Sequence, residues 1–233
     1  MSLTSTSLVA VLNKEFKPNL EDLLAVYGEV KIDDKIKNIK AKEVGLDHLT
    51  IVFNHDSLEV EMLKPIPFDK PLQTYEQVQT HLLQLARQAA EKRKLSHLQV
   101  QQVWYPQNVI EKGIVIAVCI MMAGKVMPNF TYNVVLTRVL PFPNHWLEAF
   151  RPYNDFVLMT AITLHAIEVA IFMVSRFYKY RVPADAQLEW LVLTTIEGYF
   201  CIRRFDQVVA HRAKVWQHYE DGGKLIDEKE KYE

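Results

Sequence analysis

The chain has 233 residues, of which 49% are hydrophobic and 24% charged, with a formal net charge of −1. So even a balance, with no basic block interleaved with aromatics, excludes a nucleic-acid footprint. Two cysteines, Cys119 and Cys201, each inside an apolar run and without CxxC or metal-ligand spacing, exclude a disulfide framework and a structural zinc centre, and no cofactor is implied.

The average hides a composite. Up to Asn108 the chain is charged and punctuated by prolines, whereas Gly113 to Ile202 carries long apolar stretches separated by basic residues. The expected organisation is a soluble α+β domain over 1–106, a transmembrane helical region over 107–210 and a polar tail over 211–233. At the start, the apolar run Leu8 to Leu12 is too short for a signal-peptide core and has no basic lead-in. The first domain is therefore expected to begin in the cytosol.

In NLEDLLAVYG, the residues Leu20, Leu23, Leu24 and Val26 fit a helix with Asn19 as N-cap and Gly28 as its stop. KIKNIKAKEV, HLTIVF and SLEVEML follow as strands of a small antiparallel sheet; Leu58, Val60 and Met62 alternate with polar residues, and NHDS is turn chemistry. After the extended KPIPFDKP, Thr74 and Gln77 form a capping box that opens a helix with the stripe Val78, Leu82, Leu85 and Ala89. Packing against the sheet accounts for that stripe without a partner.

The stretches LNKEFKPNLEDLLAVYG, VGLDHLTIVF and IPFDKPLQTYEQVQTHLLQLARQA resemble the domain that follows the split-barrel flavin- and haem-binding domain in haem-utilisation proteins and in the plant glutamyl-tRNA reductase-binding protein. The resemblance covers roughly the first ninety positions. That family carries an Asn-x-Asp-His signature in its first helix, which here reads Asn13, Lys14, Glu15, Phe16. A phenyl ring cannot ligate haem iron, so haem binding does not carry over. No split barrel precedes the domain in this sequence. The resemblance implies the fold, used for interaction or scaffolding.

Phe156 to Val174, FVLMTAITLHAIEVAIFMV, matches the ~20 apolar residues needed to cross a hydrocarbon core about 30 Å thick. Arg151 lies on one side of it, and Arg176, Lys179 and Arg181 on the other, with Phe177, Tyr178 and Tyr180 as an aromatic belt. Gly113 to Gly124 reads as a second span whose flanking Glu111, Lys112 and Lys125 snorkel, and Leu188 to Ile202 as a third that ends at an interface marked by Arg203 and Arg204. Val134 to Leu140, interrupted by Arg138, Pro141 and Pro143, is a short or re-entrant fourth segment. The expected fold class is thus an α+β domain, a small antiparallel sheet with helices, followed by a membrane bundle of three or four helical segments. HAIEVAIFMV and LEWLVLTTIEGYF resemble small eukaryotic multi-span families of unknown function, which implies helices packed as one bundle.

His165 and Glu168, three apart on one helix face, and Glu197 are ionisable groups at membrane depth. They are either a polar site for a proton or ligand, or interhelical hydrogen-bonding glue; HExxH and paired ExxH spacings are absent, so no metal is expected. Lys229 and Lys231, fifth and third from the end, resemble the dilysine retrieval signal of endoplasmic-reticulum membrane proteins, and a cytosolic C-terminus would place Asn129 of the sequon NFT in the lumen. The resulting expectation is a multi-pass endoplasmic-reticulum membrane protein, an adaptor or scaffold without catalytic chemistry, whose partners are the bilayer and other proteins. The alternative is a membrane-embedded enzyme or a lipid- or haem-handling protein using His165, Glu168 and Glu197.

Overall fold

The computed structural model describes residues 3–140 and 142–221. The chain divides into two units: the stretch up to Gln99 together with that from His211, and Val100–Ala210.

The first unit begins with α1 (Ser5–Glu15), where the Thr4 hydroxyl accepts from Ser7 N–H and the Ser7 side chain closes the box on Thr4. Leu8 and Leu12 face inward. Pro18, with its fixed φ, lies in the first turn of α2 (Lys17–Val26). The helix thus starts two residues before Asn19, which is not its cap: Asn19 is buried and donates to the His97 carbonyl at 3.0 Å. The sheet is antiparallel in the order β1 (Ile36–Val44), β2 (His48–His55), β3 (Leu58–Pro67), and Leu49, Ile51 and Phe53 of β2 form its buried face.

On the free side of β1 the Asn13 carboxamide takes the place of a neighbouring strand. Its Nδ2 donates to the Ala41 carbonyl at 2.9 Å and its Oδ1 accepts from Ala41 N–H at 2.7 Å, at one of the register shifts in β1. This pairing blocks a sheet edge that would otherwise be open. Phe16, the other end of the signature-like stretch, is buried with its ring 5.5 Å from that of Trp216.

In α3 (Tyr75–Lys92) the Thr74 hydroxyl accepts from Gln77 N–H at 3.3 Å, but the Gln77 side chain takes Gln73 N–H, so the expected box closes on one side only. The buried stripe is Val78, Leu82, Leu83, Ala86, Ala89 and Ala90; Leu83 faces the core and Leu85 is half-buried. The end of α10 (Tyr199–Glu220) completes this unit. Trp216 packs on Phe16 and, edge-on at 4.7 Å, on His97, and the Gln79 amide donates to the Tyr219 carbonyl at 3.3 Å. Burial, aided by Arg87, holds His97 below the usual histidine range, so its ring packs there as a neutral group.

The second unit holds α4 (Val109–Val126), the short α5 (Pro128–Phe130), a π-helical stretch Thr131–Val139, α6 (Asn144–Phe150), α7 (Asn154–Glu168), α8 (Val174–Lys179), α9 (Ala184–Glu197) and the start of α10. Its core is built on Met173, Phe177, Trp190, Cys201 and Phe205, with the Trp190 and Phe205 rings edge-to-face at 5.1 Å.

The expected bundle of three or four spans does not hold. Among the described residues one helical stretch, Asn144–Lys179, is long and apolar enough to cross a membrane. α4 carries Glu111, Lys112 and Lys125 within its 18 residues. α9 has 14 residues, about 21 Å at 1.5 Å each, against a core of about 30 Å. The expected fourth segment is nine residues of π-helix, and Pro141 lies outside the described residues. The architecture is helix-dominated, with a three-stranded sheet confined to the first unit.

Asn13→Ala leaves both Ala41 backbone groups without their partner, so the first unit should lose about 1–3 kcal/mol, read as a lower urea midpoint than wild type. A midpoint shift no larger than that of an exposed control such as Lys14→Ala would contradict this role.

Candidate functional site

The polar residues singled out in the sequence gather where α9 gives way to α10. Gly198 separates the two helices at φ +60° and ψ −131°, a conformation essentially restricted to glycine. Its N–H closes on the Thr194 carbonyl at 2.7 Å. The last carbonyls of a helix lack intrahelical partners, and that of Thr195 is met by His165 Nδ1 at 2.9 Å. A carbonyl only accepts, so the geometry assigns a proton to Nδ1.

Nε2 faces Gly198. A β-carbon at position 198 would collide with His165 Nε2 and lie 2.8 Å from Glu168 Oε2, so two polar atoms from one turn of α7 converge on the side-chain-free backbone of Gly198. Glu168 Oε2 is buried and has no hydrogen-bond partner. Directly after Glu168 the helix widens into the π-helical turn Val169–Met173. Such turns commonly mark functional positions.

Glu197, the third expected member, points to a separate cluster. Both of its oxygens accept from Arg204 Nη2 at 2.8 Å, while Arg204 Nη1 donates to Glu111 Oε2 at 2.8 Å. Glu111 is also held by Asn108 Nδ2 at 2.8 Å and by Gln107 N–H at 3.2 Å, and Asn108 Oδ1 caps the Glu111 N–H. Arg204 and Glu197 are each 2% exposed. Burial opposes the guanidinium charge, but hydrogen bonding to Glu197 and the nearby carboxylate charge outweigh it, and the Arg204 pKa moves upward.

Arg204 and Glu111 therefore differ from expectation: they neither mark an interface nor snorkel, but pair inside the unit. The Asn108 to Glu111 spacing at the start of an apolar run is a capping signal that locates Glu111 in the sequence; nothing local announces Arg204 as its partner, 93 residues on. Arg203, the other residue expected at the interface, is exposed.

Both terminal nitrogens of the Arg204 guanidinium are taken up by the two carboxylates, while its buried Nε has no hydrogen-bond partner. Cys201 beside it is no nucleophile: burial pushes its thiol up to about 11 despite the hydrogen bond from the Thr194 hydroxyl at 3.2 Å. Among the described residues, no three His, Cys, Asp or Glu groups are placed to hold a metal ion. Asn129 is exposed and its side chain accepts from Arg151 at 3.3 Å. Lys229 and Lys231 lie outside the described residues.

The family described as the YDR476C-like C-terminal domain matches residues 108–211. The Saccharomyces cerevisiae protein named "Uncharacterized protein YDR476C" is 32% identical over 217 residues, which cover 86% of this chain and 93% of that protein. The chain belongs to the YDR476C-like family. This membership replaces both resemblances drawn from the sequence, the split-barrel-associated domain and the multi-span families. The structure supplies the physical reason for the first: Asn13 and Phe16 are spent on a sheet edge and an aromatic contact, which account for both residues without a haem-related signature. The matched segment contains His165, Glu168 and Gly198 as well as the whole Glu111–Arg204–Glu197 triad.

Arg204→Met strands two buried carboxylates and should cost about 3–5 kcal/mol in chemical unfolding. Adding Glu197→Leu should restore at least half of that, because Glu111 keeps Asn108 and Gln107. Equal losses in the single and double variants would show that the triad is not the source of the stability.

Proposed function

We propose that this chain is an endoplasmic-reticulum membrane protein without catalytic chemistry of its own, in which an α+β unit is anchored by the apolar unit and serves as an adaptor or scaffold. The observation that carries this reading is the surface of Asn144–Lys179. Its most apolar 18 residues have a mean hydropathy of 2.1, yet only 11% of that window is buried. Phe156 is 72% exposed, Leu164 56% and Ile171 59%. A helix apolar all round belongs in a core or in lipid, and apart from Leu158, Met173 and Phe177 little of this one is buried by protein. The pairing of Glu111 and Glu197 with the Arg204 guanidinium supports the absence of chemistry, since these charges serve each other.

The reading predicts that the protein stays in the membrane pellet after alkaline carbonate washing. Replacing Val157, Leu164, Ile167 and Ile171 together with serine should move it to the supernatant, and Lys229→Ser with Lys231→Ser should shift it out of the endoplasmic reticulum. A wild-type chain that is released by carbonate and is monomeric without detergent would overturn the proposal.

A second reading, a membrane-embedded enzyme or a lipid- or haem-handling protein, is favoured by one observation, the buried and unpartnered Glu168 Oε2 beside His165 Nε2. Buried polar atoms are ordinarily satisfied, and an exception calls for an explanation. Under this reading Glu168→Gln with His165→Gln abolishes function in a deletion-rescue assay while helicity and the thermal midpoint are kept; full rescue by the double variant would remove it.

A further inference from the structure

Asn144–Lys179 holds two chemically different stretches. At 36 residues it measures about 54 Å, well beyond a hydrocarbon core of about 30 Å. From Phe156 to Val174 the sequence is predominantly apolar on every side, which suits that core. Asn144–Tyr153, made of α6 and the 3-10 turn Arg151–Tyr153, comes before it and is apolar on one side only.

The two sides of this first stretch are cleanly sorted. At the helical period of about 3.6 residues, Trp146, Phe150 and Tyr153 fall at i, i+4 and i+7 and share one face, while Asn144, Glu148 and Arg151 repeat the same spacing on the opposite one. Each of the three aromatic residues is more than half exposed, and the Trp146 and Phe150 rings lie 5.9 Å apart. On the polar side Arg151 donates to Asn129 Oδ1 at 3.3 Å and stands over the Tyr132 ring at 5.2 Å.

The composition of the aromatic stripe and its continuation indicate what covers it. Trp and Tyr join an apolar ring to a polar tip, and the boundary where acyl chains give way to hydrated headgroups satisfies both ends. One turn beyond Tyr153 the stripe meets Phe156 and Val157, which are exposed and open the apolar surface of α7, so the two surfaces are continuous. A helix with aromatic residues on one face and charges on the other lies along that boundary instead of entering the hydrocarbon. The change from one-sided to all-round apolarity falls at Arg151–Tyr153, where Pro152 contributes no N–H and the helix tightens to 3-10.

We infer, resting on the membrane reading above, that Asn144–Tyr153 is an interfacial anchor. It lies at the boundary of headgroups and acyl chains with Trp146, Phe150 and Tyr153 against the lipid and Glu148 on the aqueous side, and α7 enters the hydrocarbon behind it.

The test uses the full chain, with the exposed Cys119 replaced by serine, reconstituted in phosphatidylcholine vesicles. Cys201 stays, because its buried thiol, pushed up to about 11, scarcely reacts at neutral pH. An environment-sensitive fluorophore is attached to single cysteines introduced as Trp146→Cys, Glu148→Cys, Phe150→Cys and Leu164→Cys, all at exposed positions. Phospholipids carrying a nitroxide near the headgroup should quench the labels at positions 146 and 150 about threefold more than those carrying it deep in the acyl chain. The order should reverse at position 164, and position 148 should respond to iodide in the water and to neither lipid. If positions 146 and 150 are quenched by lipid no more than position 148 while position 164 still responds to the deep nitroxide, the anchor is overturned and the membrane reading stands. Deep quenching at positions 146 and 150 would also overturn it, by placing the stretch inside the hydrocarbon. Absence of lipid quenching at all four positions would instead remove the membrane reading, and the anchor with it.

Discussion

The second unit depends on one buried cation. The Arg204 guanidinium reaches Glu111 at the start of α4 with one nitrogen and Glu197 at the end of α9 with another. The start of α4 is thereby fixed to the junction of α9 and α10, 93 residues on, through one planar group whose fork suits carboxylates. Taking these charges out of water costs several kcal/mol per ion, and the arrangement is favourable only because each finds its partners at about 2.8 Å.

The consequence for the neighbouring polar pair is geometric. Glu197 faces Arg204, and the chain then turns at Gly198 in a conformation that a side chain would not tolerate. This break frees the Thr195 carbonyl for His165, which fixes the imidazole tautomer and brings Nε2 and Glu168 Oε2 against the bare backbone of Gly198. A β-carbon there would collide with both. The helix break, the orphaned carboxylate oxygen and the π-helical turn after Glu168 are thus one local arrangement reached from two elements.

The first unit shows a different economy. A three-stranded sheet has two edges, and here a single carboxamide, that of Asn13, covers the bulged stretch of one of them. Closure of the helical side waits for residues more than a hundred positions later, Trp216 and Tyr219.

Local signals were legible in the sequence where the physics is local. The buried Leu20, Leu23 and Leu24 of α2, the Thr74 cap and the apolar character of Phe156 to Val174 all follow from neighbours a few residues away, whereas Val60 and Met62, which alternate with polar residues in the sequence, are exposed on β3, and the buried face is built by Leu49, Ile51 and Phe53 of β2. Hydropathy alone misjudged the shorter apolar runs, because it cannot distinguish a span from a helix of 14 residues, or a snorkelling glutamate from one that meets an arginine 93 residues on. By itself, the sequence determined where the apolar and polar stretches lie and which residues carry ionisable groups within them. Only the tertiary structure decided that Arg204 pairs with Glu111 and Glu197, that His165 and Glu168 converge on Gly198, and that both ends of the chain make one unit. The Glu111–Arg204 pair, the approach of His165 to the α9 end and the packing of Trp216 on Phe16 all join segments distant in sequence, and no local propensity encodes which distant partner a buried charge or an unpaired carbonyl will find.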